Sequence, residues 1–275
     1  MNKIDHYAVF GSPINHSKSP RIHRLFAEQT QQNLDYVAQE VNAENFVAAV
    51  TEFFAQGGKG VNCTVPLKEL AWQFADIKTE RAESAKAVNT LITQADGSIL
   101  GDNTDGIGLV TDLTVNHGIE LQNQRVLILG AGGATRGIIS PLLDQKPNCL
   151  VVANRTIEKA LTLAIEFNHS LEGCGFDTLE HRQFDVILNA TSASLSDELP
   201  TLPENLLAEN GVCYDLAYSN TPTTFVRWGK LQNASKNLDG LGMLVEQAAE
   251  AFFLWRGVRP DTKTVIDLLN AERSV

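Results

Sequence analysis

The stretch VLILGAGGATRG at 126–137 narrows the folds open to this chain more than any other. Four apolar residues without a polar interruption suit a strand buried on both faces, and the glycines after them suit a tight turn into a helix. Such strand, turn and helix units arise where parallel strands alternate with covering helices. The neighbouring sequence repeats the alternation: strands are predicted over 125–130, 149–154, 184–190 and 212–217, and helices over 106–118, 133–145 and 156–167.

This half of the chain therefore reads as a Rossmann-like, doubly wound α/β domain, placed at 106–239. Residues 1–105 read as a separate α/β domain. Short β-like runs at 6–10, 34–41, 60–65 and 87–92 alternate there with helix-like runs at 20–32, 44–55 and 67–75. Asp96-Gly97 is a hairpin signal, so an antiparallel edge beside parallel strands, hence a mixed sheet, is expected. Residues 240–275 read as helices over 241–257 and 262–272, with Phe252, Phe253 and Trp255 as helix core. That tail has no strand to extend the second sheet, so it is expected to pack back onto the first domain.

The net charge of −11 disfavours a broad surface for nucleic acid or anionic lipid, so cations for an anionic ligand must be local. Cys63, Cys149, Cys174 and Cys213 lie far apart and read as reduced core thiols. With no targeting segment or membrane-length apolar stretch read, the expected location is the cytoplasm. His6, His23, His117, His169 and His181 are scattered, and no metal site is expected. His16 lies within a serine motif, where it can meet ligand or the loop backbone.

In the glycine turn, Gly130, Ala131, Gly132, Gly133 and Ala134 would bring backbone N–H groups close to a pyrophosphate at the positive helix end. Thr135 stands where the usual pattern has its third glycine. The following strand ends in Asn154-Arg155-Thr156, with Lys159 one turn on, where NAD enzymes place a carboxylate on the ribose. Arg155 can fork onto a 2′-phosphate, and Asn154 and Thr156 can hydrogen-bond it, so NADP(H) is expected over NAD(H). Two cations in a first helical turn oppose the helix dipole unless an anion binds there. NATS at 189–192 would bring Thr191 and Ser192 to the same crevice, or cap the next segment.

Ser19-Pro20 reads as an N-cap with proline at the first helical position, which leaves Ser17 unexplained. Two hydroxyls at a helix N-terminus also suit a carboxylate ligand. Asn62, Thr64 and Lys68 in NCTVPLK, Asn89 in AVNT and Asp105 in GDNTDG each stand near the predicted carboxyl end of a strand. Lys68 held by Asp105 would suit proton transfer from a hydroxyl as hydride leaves the same carbon, or to the alkoxide as hydride arrives there. Spacing alone equally allows a salt bridge between domains.

Taken in order, HSKSPRIH, GGKGVNCTVPLK, AVNTL, GDNTDG, GAGGATRG, NRT, NATS and DGLGMLVEQAA resemble the shikimate dehydrogenase family of the single-function bacterial type, over essentially the whole length. The resemblance implies reversible NADPH-dependent reduction of 3-dehydroshikimate to shikimate, on the route to chorismate and aromatic amino acids, by a monomer or homodimer. It implies carboxylate binding by Ser17 and Ser19 with Tyr218 nearby, and ring-hydroxyl binding by Asn62, Thr64, Asn89 and Gln247. Lys68 and Asp105 would be catalytic and Gly240 would join the cofactor site. Three positions depart from the family pattern: Ser194 replaces the glycine of NATSxG, Lys159 a frequent arginine, and Thr224 a common proline, the last expected to loosen the Tyr218 loop. A quinate/shikimate dehydrogenase using NAD would call for an acidic residue near 154–155, and a non-catalytic regulatory paralogue for loss of Lys68 or Asp105; the sequence has neither feature.

Overall fold

The computed structural model describes residues 4–191, 193 and 198–273; the candidate Ser192 and the departure at Ser194 lie outside them. Two compact units are present, one comprising the chain up to Gly108 with Leu244–Leu269, the other Leu109–Met243 with the residues from Asn270.

The first unit contains β1 (Asp5–Gly11), α1 (Ser19–Thr30), β2 (Leu34–Glu40), α2 (Phe46–Ala55), β3 (Gly60–Cys63), α3 (Lys68–Phe74), β4 (Ile77–Lys78), α4 (Glu80–Ala85), β5 (Thr90–Thr93) and β6 (Ile99–Asp102). The sheet order is β2-β1-β3-β5-β6-β4. β1 runs parallel to β2 and β3, whereas β5 is antiparallel to β3 and β6, so the sheet is mixed. Asp96-Gly97 turns β5 into β6, with Gly97 at φ +87° and Asp96 Oδ1 accepting from the Ser98 N–H at 2.9 Å. The hairpin is not the edge: β4 pairs parallel to β6 outside it. Two residues are too few to leave a periodic signal in the sequence.

Strand β1 alternates between two cores, as a strand covered on both faces must. Ala8 and Phe10 pack with Phe46, Val50, Val61 and Leu91, while Tyr7 and Val9 pack with Ile14, Tyr36 and Trp255.

The second unit begins within α5 (Asp105–Thr111), which runs into a π-helical turn at Asp112–Asn116. It continues through β7 (Arg125–Leu129), α6 (Gly133–Asp144), β8 (Cys149–Ala153), α7 (Ile157–Glu166), β9 (Glu172–Cys174), β10 (Phe184–Asn189), β11 (Leu207–Asp215), α8 (Thr224–Leu231) and β12 (Lys236–Asp239). All pairs are parallel, in the order β12-β11-β10-β7-β8-β9, which is the doubly wound topology. Val126 and Ile128 face one core with Ile138 and Leu163, and Leu127 and Leu129 face the other with Phe225. The apolar run in the sequence reflects that double burial.

Helices α9 (Leu241–Arg256) and α10 (Thr262–Arg273) complete the described chain, and α9 beyond Met243 packs with the first unit. Trp255 lies 4.7 Å from the Tyr7 ring and donates from Nε1 to the Leu91 carbonyl at 3.1 Å. Phe252 is buried, but Phe253 is 40% exposed beneath the Arg259 guanidinium, because adjacent helical residues diverge by about 100°. Among the described residues, no helix is long and apolar enough to cross a membrane.

His23 of α1 is fully buried and stacks on Tyr36 at 4.1 Å. Burial pushes its pKa down to about 3, against an opposing pull from Asn62. An unfolded histidine titrates near ~6.5, so between these values the unfolded chain binds the extra proton. His23 therefore carries no ionisation cost above about pH 6.5 and destabilises the fold progressively as pH falls, by about 1.4 kcal/mol per unit. Urea unfolding at pH 7.5 and 5.0 is expected to show a wild-type loss about 2 kcal/mol larger than that of His23→Phe. Equal losses would refute this account of the buried imidazole.

Candidate active site

Lys68 opens α3 directly after β3, where the helix dipole disfavours a cation, while Asp105 opens α5, where it favours an anion. Lys68 Nζ donates to Asp105 Oδ2 at 2.6 Å, with the two side chains 22% and 9% exposed. The ammonium is thus accessible on a carboxylate that is nearly enclosed. Both residues belong to the first unit, so the contact is made within that unit.

Asn89 supports the other carboxylate oxygen. Its Nδ2 donates to Asp105 Oδ1 at 2.8 Å and to Thr104 Oγ1 at 2.9 Å, and its Oδ1 accepts from the Thr104 N–H and from Thr90 Oγ1. Asn62 joins the same network, with Nδ2 donating to the Asn89 carbonyl and to Thr90 Oγ1, both at 3.0 Å. Its Oδ1 accepts from the Tyr36 hydroxyl at 2.7 Å. Gln247 on α9 reaches the group through Oε1, 3.4 Å from Asn89 Nδ2 and from Thr104 Oγ1. Thr64, half-buried, follows β3 with its methyl against Gly11.

Three residues before Asp105, Asp102 is 1% exposed and bound by Arg81 through both oxygens at 2.6 Å. Arg81 also donates to Glu250 at 3.1 Å, one helical turn beyond Gln247. These ion pairs fasten α9 to the end of β6. Tyr36, Arg81, Thr90, Asp102, Thr104 and Glu250 were not among the sequence-predicted residues. Thr90 and Asp102 adjoin predicted residues in AVNT and GDNTDG, whereas Arg81, Tyr36 and Glu250 carry no local signal.

The serines differ from the N-cap expectation. Lys18 occupies the cap position without a side-chain cap bond, Ser19 is already helical, and Ser17 Oγ accepts from the Ser19 N–H at 3.3 Å. The hydroxyl two residues upstream thus bonds the opening of α1.

In the second unit, Gly130 lies at φ +102°, and a Cβ there would stand 3.1 Å from Thr191 Cγ2 and 3.2 Å from the Ala190 backbone. Gly132 and Gly133 are exposed with open space where a side chain would go, and Ala131 and Ala134 flank them. The sheet's strand order reverses between β7 and β10, and both the glycine turn and Thr191 follow those two strands. The leading N–H groups of α6 have no intrahelical acceptor and can bind an anion. Asn154 is built into the turn: Oδ1 accepts from the Ala131 N–H at 3.2 Å and Nδ2 donates to the Thr156 carbonyl at 2.8 Å. Arg155, Thr156 and Lys159 are exposed at the start of α7.

Tyr218 also lies in the second unit, half-buried after β11, with its pKa raised by burial. Its loop is fastened rather than loosened: buried Asp215 accepts from the Ala217 N–H at 3.1 Å and from Thr223 Oγ1 at 2.6 Å, and Thr223 caps α8 just before Thr224. Gly240 is packed against backbone, since a Cβ there would meet the Leu216 carbonyl at 2.1 Å. Among the described residues, no group of three or more His, Cys, Asp or Glu is arranged to hold a metal.

Residues 9–91 match the shikimate dehydrogenase substrate binding domain, 113–197 the shikimate / quinate 5-dehydrogenase family and 240–269 the shikimate 5'-dehydrogenase C-terminal domain. A shikimate dehydrogenase (NADP(+)) from Methylococcus capsulatus is 60% identical over 275 residues, covering 99% of each chain. Among solved structures, an Ael1 enzyme from Pseudomonas putida is 49% identical with a TM-score of 0.91, covering 96% of this chain and 98% of that one. The Thermus thermophilus shikimate 5-dehydrogenase in complex with NADP(H) and shikimate is 33% identical with a TM-score of 0.87, covering 99% of this chain and all of the other.

Gly130→Ala is expected to destabilise the protein by about 1–2 kcal/mol, because alanine at positive φ is strained and its methyl meets Thr191 and Ala190. Thermal unfolding followed by circular dichroism checks this, and an unchanged midpoint would contradict it.

Proposed function

The chain belongs to the shikimate dehydrogenase family, and from that premise we propose that it catalyses the reversible NADPH-dependent reduction of 3-dehydroshikimate to shikimate, with Lys68 and Asp105 handling the proton. The observation that carries the reading is the 2.6 Å contact between a partly accessible ammonium and a nearly enclosed carboxylate, beside amides able to meet a polyhydroxylated ring. The nicotinamide of bound NADP(H) supplies or accepts the hydride.

In the reductive direction Lys68 gives a proton to the oxygen that becomes an alkoxide as its carbon gains hydride; in the oxidative direction it takes the hydroxyl proton. Asp105 holds Lys68 in place and offsets its charge, and Asn89 keeps that carboxylate oriented. Ser17 and Ser19 bind the substrate carboxylate. Asn62, Thr64, Asn89 and Gln247 take the ring hydroxyls. Asn62 Nδ2 is already committed to two acceptors, so its Oδ1 is the atom left to receive a ligand hydroxyl.

The second unit fits NADP. Gly130 keeps the turn tight, Gly132 and Gly133 leave room for close approach, and the start of α6 favours a pyrophosphate. Arg155 and Lys159 meet the 2′-phosphate, with Thr156 as a hydroxyl partner and Asn154 supporting the turn. Thr191 and Gly240 line the nicotinamide end. The domains of the reading are 1–105 for substrate, 106–239 for NADP and 240–275 as the C-terminal helices, of which Leu244–Leu269 belong to the first compact unit and the residues from Asn270 to the second. Four unpaired cysteines, three of them buried, support a cytoplasmic enzyme, acting as a monomer or homodimer.

Initial rates with shikimate and quinate crossed against NADP+ and NAD+ are expected to show turnover concentrated on shikimate with NADP+. Lys68→Ala is expected to lower kcat by about 10²–10⁴-fold while KM for shikimate changes far less. A loss through KM alone would defeat the proton-transfer role. Arg155→Ala is expected to raise KM for NADP+ roughly ten- to a hundredfold and to leave KM for NAD+ nearly unchanged.

A further inference from the structure

Tyr36 stands at a junction that the reaction scheme leaves unused. Its ring is 6% exposed, stacked on His23 at 4.1 Å, and tilted against Trp255 at 6.2 Å. Packing against these two rings fixes where the hydroxyl points. That hydroxyl donates to Asn62 Oδ1 at 2.7 Å. The phenolic oxygen therefore touches an asparagine assigned to a ring hydroxyl.

We propose that Tyr36 is a positioning residue for substrate recognition, which fixes the direction of the acceptor oxygen of Asn62. The inference rests on the shikimate dehydrogenase reading and deepens it. An amide exposes either an acceptor or a donor depending on how it is turned. The bond from Tyr36 occupies one lone pair of Asn62 Oδ1, while Asn89 and Thr90 hold the amide nitrogen, so the second lone pair faces a ligand hydroxyl in one direction. Burial pushes the Tyr36 phenol well above its ordinary range, so it stays protonated and a donor throughout the working pH range. The network then runs through Thr90 and Asn89 to Asp105, so disorder at Asn62 is damped before it reaches Lys68. The expected consequence is a binding defect rather than a defect in proton transfer.

The test uses the whole enzyme and steady-state kinetics. Tyr36→Phe removes one hydroxyl and keeps the ring, and is expected to raise KM for shikimate about 5–20-fold, with kcat within about twofold and KM for NADP+ unchanged. Adding it to Asn62→Ala is expected to leave KM where Asn62→Ala alone puts it, because Tyr36 acts through that amide. His23→Phe, which keeps an aromatic ring stacked beneath Tyr36 and keeps the hydroxyl, is expected to leave KM for shikimate unchanged. An unchanged KM in Tyr36→Phe, a fully multiplicative double variant, or the same KM shift in His23→Phe would each overturn the proposal. Absence of wild-type turnover of shikimate would overturn the parent reading and this one together, whereas wild-type turnover with any of those three results overturns the role of Tyr36 alone.

Discussion

A carboxylate taken out of water must have its charge answered locally, and at Asp105 that requirement organises the first unit. Desolvating an ion costs several kcal/mol unless partners and hydrogen bonds compensate. Lys68 answers one oxygen and Asn89 the other, and the Asp105 N–H is itself held by Asn103 Oδ1 at 3.1 Å. Asn89 can play that part only because Thr104 and Thr90 fix which end of its amide is the donor. Each fixed amide orients the next, so the arrangement stays ordered from Asp105 outward to Asn62.

A second enclosed charge reinforces the first. Asp102 is bound by Arg81 at both oxygens, by Thr79 Oγ1 at 2.6 Å and by the Asn103 N–H at 2.7 Å. Glu250 shares Arg81 and also pairs with Arg259. Gln247 and Glu250, three residues apart, face the same side of α9, so the ion cluster that anchors one also sets the height of the other. Structural charge and candidate ligand-binding groups thus share a helix face.

The second unit meets a different demand, an anion held without a large positive field. The overall charge is −11, so in the proposed reading the attraction would come from backbone dipoles at α6 and from Arg155 and Lys159 at α7. The parallel order of the sheet opens both turns at the same edge. Asn154 links them by bonding one turn's N–H and the other turn's carbonyl.

The sequence by itself determined the two sheets, because apolar runs, glycine turns and the Asp96-Gly97 hairpin are local signals that act over a few residues. It also pointed to Lys68, Asp105 and Asn89, each placed at the end of a recognisable element. What it did not carry were pairings between distant positions: β4 against β6, Arg81 with Glu250, Tyr36 with Asn62, or Ser17 rather than Ser19 bonding the start of α1. A two-residue strand has no period, and the hydrogen bond from Tyr36 to Asn62 joins residues 26 apart. Only the tertiary structure decided these, because a buried polar atom takes whichever partner the packed core brings within reach.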